Sequence, residues 1–133
     1  MKVLNIILRV VLALLLVSPI LGAFGVFPEP TPEMYNTPEA YAYIKMLLEV
    51  GYVTFTMTVV FIAILVLIAM NRMALAALLL LPITVNIVGF HAVLDGGLFT
   101  KGAIMGNLLL LLNLYFLWQN RAAYKPLFAK SAN

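Results

Sequence analysis

Four long apolar runs constrain this 133-residue chain more than any other feature of its sequence. The first extends from Val3 to about Phe24, interrupted by Arg9, and the second from about Val50 to Met70. The third extends from Met73 to about Leu94 and the fourth from about Gly102 to Trp118. Each is close to the ~20 residues with which a helix crosses a bilayer core. Inside lipid each must be helical, because no water is present to satisfy free backbone groups. The runs are continuous and lack period-two alternation, which argues against a transmembrane β-barrel. Composition agrees: 65% of the residues are hydrophobic and 10% are charged, against about 45–50% and about 25% in soluble domains. A soluble globule, a disordered chain and a nucleic-acid module are therefore excluded. The expected fold is an all-α, integral-membrane four-helix bundle, one transmembrane domain over residues 1–133.

The joints between runs carry local signals. Asn71-Arg72 is a two-residue break, so spans two and three should form a tight antiparallel hairpin. Asp95-Gly96-Gly97 is a turn signal that closes span three. The outer loop, residues 25–38, carries Pro28, Pro30, Pro32 and Pro38 and should be extended and polyproline-like. Its Glu29, Glu33 and Glu39 with Tyr35 and Tyr41 make an acidic, aromatic surface, read either as a docking site or as a solvated linker. Thr37 reads as an N-cap with Pro38 at the first helical position. Helix 2 is therefore expected to begin near Pro38 and extend outside the membrane.

Basic residues set the orientation. Lys2, Arg9, Arg72, Arg121, Lys125 and Lys130 cluster at the start, in the hairpin and in the tail, residues 119–133. The opposite side holds only Lys45 and Lys101. The positive-inside rule then places both termini in the cytoplasm of a multi-pass membrane protein. Tyr115, Trp118 and Tyr124 suit an aromatic belt at the inner end of span four. A cleaved signal peptide is the rival reading of residues 1–24. The run is long for that, and either reading leaves the orientation unchanged.

The chain has no cysteine and one histidine, which removes disulfides, thiolate metal sites and bis-histidine haem within one chain. No phosphate loop, nucleophile elbow or acidic metal cluster is present. Neither a catalytic residue nor a metal site is assigned.

Ionisable groups within spans are the default functional candidates. Topology gathers Glu49, His91, Asp95, Asn107 and Lys101 at the outer leaflet as a candidate ligand-binding cluster. His91 and Asp95 are four apart and share a helix face, with Thr84 and Val88 on the same stripe. Such a pair can hold a proton or present donors and acceptors to a quinone carbonyl; alternatively it merely ends a helix at the water interface. Arg9 lies about 9 Å into the membrane from the basic side, with Asn113 as its expected partner. The alternative is snorkelling to headgroups. Asn86, a turn after Pro82, is expected to point into the bundle and bond another helix. Gly102 and Gly106 form a GxxxG spacing for close helix packing, within the chain or to a partner.

Arg9 early in span one, Leu48-Glu49-Val50-Gly51 opening span two, Asn71-Arg72 closing it and the Ala/Leu-rich segment from Ala74 to Leu81 form a recognisable series. With these features the chain resembles the DoxX-like family of small four-helix bacterial membrane proteins. It differs in ending span one with Gly22-Ala23-Phe24-Gly25, without the family's frequent lysine. Tyr124-Lys125-Pro126-Leu127-Phe128 replaces the glycine-rich C-terminal signature. The resemblance implies a bacterial inner-membrane bundle in which Arg9 and Glu49 are the transferable positions. Some relatives are membrane subunits of sulfur-compound:quinone oxidoreductases or partners in oxidative-stress complexes.

Three functions fit the sequence. Small size, short loops and the lack of a catalytic constellation favour a non-catalytic subunit or scaffold, partnered by other membrane proteins or a second copy. The outer cluster favours a quinone- or lipid-binding redox subunit, quinone being the only cofactor it suggests. A small-solute or proton-linked transporter rests on Pro82 and Asn86, without the broken helix pair or inverted repeat that such carriers show.

Overall fold

The structure, a computed structural model, describes residues 1–131. Among the described residues four helices are long and apolar enough to cross a membrane: α1 (Lys2–Ala23), α3 (Tyr52–Ala69), α4 (Met73–Val93) and α5 (Lys101–Gln119). Four shorter pieces complete the order among the described residues: a 3-10 turn (Pro32–Met34) that interrupts the otherwise extended Pro-rich loop, α2 (Pro38–Val50), then α6 (Arg121–Tyr124) and a final 3-10 turn, Lys125–Phe128.

The turn chemistry explains where each span ends. Asn71 takes a left-handed conformation (φ 59°) between α3 and α4, which a short polar side chain tolerates. Gly96 (φ 85°) and Gly97 (φ 105°) reverse the chain between α4 and α5. Thr37 caps α2 as expected, its Oγ1 accepting from Ala40 N at 3.1 Å. One expectation changes. The apolar run starting near Val50 is not one helix with the segment from Pro38, because Gly51 adopts φ 78° and separates α2 from α3. Lys45 and Glu49 of α2 therefore do not share a continuous helix face with Tyr52 and Thr56 of α3.

Successive spans are antiparallel neighbours around a closed ring: α1 beside α3, α3 beside α4, α4 beside α5, with α5 returning more loosely to α1. Leu12, Leu16, Phe61, Ile64, Leu80 and Phe116 fill the centre, and Ala76 and Ala77 let α4 approach closely. Lipid is as apolar as this core, so van der Waals fit and interhelical hydrogen bonds hold the ring rather than exclusion of water. Tyr115 Oη and Gln119 Nε2 donate to Asn5 Oδ1 at 2.7 and 2.8 Å, so the start of α1 and the end of α5 meet at one end. Tyr124 Oη donates to Ala74 O at 2.7 Å and ties the tail to α4.

Two polar residues within the spans differ from expectation. Asn86 is exposed on the outer face of α4 and, among the described residues, bonds no other helix. Asn113 fills the interior role instead: its Nδ2 donates to Ala77 O at 2.8 Å and its Oδ1 accepts from Thr84 Oγ1 at 3.0 Å. Ala77 sits next to Leu78, whose carbonyl loses its helical partner because Pro82 has no N–H. Asn113 is therefore not available to Arg9, whose Nη1 donates to Asn71 Oδ1.

Candidate functional site

The expected outer cluster divides into two unequal parts. His91 and Asp95 meet at the end of α4, with Nδ1 2.9 Å from Oδ2. Asp95 is only 2% exposed, so each carboxylate oxygen needs a protein donor. The second donor comes from the far end of the Pro-rich loop: Asn36 N donates to Asp95 Oδ1 at 2.8 Å. Asn36 Nδ2 also donates to Asp95 O at 3.2 Å, and Thr37 Oγ1 donates to Leu94 O. The loop is thus stitched at its end to α4 and is not a free linker there.

This arrangement fixes the imidazole. A carboxylate only accepts, so Nδ1 carries the hydrogen that points at Asp95. Nε2 is then the functional nitrogen, an acceptor in the neutral ring and a donor when the ring is protonated. It makes no hydrogen bond among the described residues. Phe90 stands edge-on to the ring at 5.1 Å, and Tyr43 of α2 stacks on Phe90 at 5.9 Å. The ring therefore has little freedom to turn.

Gly102 and Gly106 provide the space for it. A Cβ at Gly102 would sit 3.3 Å from His91 Cε1 and 3.5 Å from Asp95 Oδ2. One at Gly106 would sit 2.9 Å from Ile87 Cγ2 and 3.6 Å from His91 Cδ2. The GxxxG spacing thus serves α4–α5 packing around the imidazole, within the chain.

His91 lines a groove of about 310 Å³ that opens between the helices. Ser18 and Pro19 of α1, Phe61 of α3, Ile87 of α4, and Met105 and Leu109 of α5 make its walls. The surface is apolar apart from the imidazole and the Ser18 hydroxyl. Such a groove admits a flat or chain-like lipid-soluble molecule with a carbonyl or hydroxyl for Nε2.

The remaining members lie elsewhere. Glu49 pairs with Lys45 at 3.8 Å, both well exposed, and a pair so wet contributes little. They line a separate cleft of about 410 Å³ with Gly22, Phe27, Pro30 and Tyr41. Asn107 Nδ2 donates to Leu98 O at 2.8 Å and braces the turn before α5. Lys101 is exposed at the first position of α5.

In the loop, burial and the negative charge of Asp95 raise the Tyr35 phenol above its usual range. A hydrogen bond with Thr31, and then one from its own backbone, lower the Glu33 carboxyl. Among the described residues no group of three or more His, Cys, Asp or Glu is placed to hold a metal.

Asn36, Ser18, Phe61 and Met105 do not stand out in the sequence as site residues. Asn36 immediately precedes the N-cap Thr37, and that position beside the free N–H groups of a helix start was a usable signal. The groove residues had none, because they come from four helices with no shared spacing. No family model, curated protein or solved structure matches the chain.

Proposed function

We propose that the chain is a small binding subunit of a membrane complex, without chemistry of its own. In this reading it holds a quinone-type or lipid-type molecule in the groove beside His91. The observation that supports this most is an imidazole oriented by a buried carboxylate, with its second nitrogen unpartnered and an apolar groove alongside. A quinol or alcohol hydroxyl would donate to Nε2, and a quinone carbonyl would accept from the protonated ring. The segregation of basic residues at one end supports cytoplasmic termini. The DoxX-like resemblance supports a bacterial inner membrane and a role beside redox partners.

The test is extraction of protein purified in mild detergent and quantification of quinones and neutral lipids by mass spectrometry. The expected outcome is a stoichiometric species that falls at least severalfold in His91→Phe, which keeps a ring but loses Nε2. Met105→Trp, which fills the groove from an exposed position, should reduce it as well. Equal recovery from all three proteins would reject the reading.

A second reading, assembly with another membrane protein or a second copy, draws on Asn86. Its amide lies about 10 Å inside the outer end of α4, exposed where lipid offers no hydrogen bond. A partner helix would supply one.

A further inference from the structure

The opposite end of the bundle holds another cleft, of about 480 Å³, with a different chemistry. Arg9 from α1, Asn71 and Arg72 from the α3–α4 turn, and Asn120 at the end of α5 line it together with Met73, Ala74 and Leu75 of α4. The lining therefore combines two guanidinium groups and two side-chain amides with apolar side chains.

Arg9 is the unusual member. A guanidinium has five N–H donors and stays charged at every pH of interest. Among the described residues it makes one protein hydrogen bond, from Nη1 to Asn71 Oδ1, and its buried Nε has no partner. Asn71 spends its acceptor on Arg9, so its remaining polar group is the donor NH₂.

Neither Arg9 nor Arg72 has an ion pair among the described residues. Among the described residues no acidic side chain is within reach, because Glu29, Glu33, Glu39, Glu49 and Asp95 all belong to the other end. Two guanidinium groups without an ion pair among the described residues thus line one cleft at the end of the bundle, beside Ala74 and Leu75. Snorkelling alone would place an arginine at the headgroup layer. It would not assemble a second arginine and an asparagine brace around the same cleft.

We propose that this cleft binds the phosphate of an anionic phospholipid, clamped between Arg9 and Arg72, with the start of an acyl chain against Ala74 and Leu75. Arginine matches phosphate through paired N–H groups, and basic pockets between helices on the cytoplasmic side suit acidic headgroups. The site is separate from the His91 groove and does not depend on what that groove holds.

The experiment is native mass spectrometry of the delipidated protein in detergent, titrated separately with phosphatidylglycerol, phosphatidylcholine and inorganic phosphate. The expected result is one saturable phosphatidylglycerol, bound more tightly than phosphatidylcholine and not displaced by millimolar inorganic phosphate. Each of Arg9→Gln and Arg72→Gln should weaken it roughly fivefold, the value of one basic residue at an anionic surface. Arg121→Gln, at the same end but stacked on Trp118 at 4.4 Å, should leave it unchanged. Arg72 is exposed and bonds no core group, so that variant remains informative if Arg9→Gln fails to fold. Equal affinity for the two lipids would overturn the proposal, as would equal loss in Arg121→Gln. Full displacement by inorganic phosphate would overturn the lipid assignment.

Discussion

At the residue scale, the two span asparagines show how an internal partner decides a polar side chain's role. Asn113 is buried and joins α5 to α4 through Ala77 O and the Thr84 hydroxyl. Asn86 faces outward and, among the described residues, bonds no other helix. Asn113→Leu should therefore destabilise the isolated protein by about 1 kcal/mol, typical of an interhelical hydrogen bond in membranes. Asn86→Leu should leave that stability unchanged, both read from unfolding in mixed micelles. If assembly uses Asn86, the same variant should shift a cross-linked oligomer toward monomer. The sequence carried both asparagines but not the distinction. A helix apolar all round has no polar face to show which side turns inward, and lipid tolerates the same residues as the core. His91 and Asp95 were legible because four-residue spacing on a helix forces contact. Their third partner, Asn36, lies 59 residues from Asp95 and shares no periodicity with it.

At the element scale, the spans follow from apolar length, while their junctions depend on a few left-handed residues. Gly51 interrupts what reads as one apolar helix, accepting φ 78° so that α2 leaves the line of α3. Its N–H donates to Leu47 O at 3.0 Å and closes α2. With α2 turned aside, Tyr43 stacks on Phe90 and Thr37 reaches Leu94 O. Gly51→Ala should cost about 1–2 kcal/mol, the penalty of a side chain in left-handed backbone. Gly89→Ala should cost little, since a Cβ there meets nothing within 4 Å. Thermal unfolding of the two variants in one detergent compares them directly. A lone glycine within an apolar run reads equally as a packing contact or a break, so the sequence did not separate α2 from α3. Thr37-Pro38 and Asn71-Arg72 were readable because cap and turn chemistry is local.

At the scale of the whole molecule, the bundle has two chemically different ends. All five acids lie towards one end, with His91 and its groove. Arg9, Arg72 and Arg121 lie at the other, with the second cleft. This polarity was visible in the sequence, because charge positions along alternating spans map directly onto ends. The groove was not, since it exists only when α1, α3, α4 and α5 close their ring. His91, the chain's only histidine, is proposed to hold Nε2 open for a lipid-soluble ligand. Nitrogen-15 NMR of protein labelled at the histidine ring nitrogens, before and after addition of a short-tailed benzoquinone or its hydroquinone, reports on this one imidazole. Nδ1 should stay protonated against Asp95 while the Nε2 resonance moves saturably, with no movement in Met105→Trp. An Nε2 resonance indifferent to both compounds, or hydrogen resting on Nε2 rather than Nδ1, would contradict that proposal.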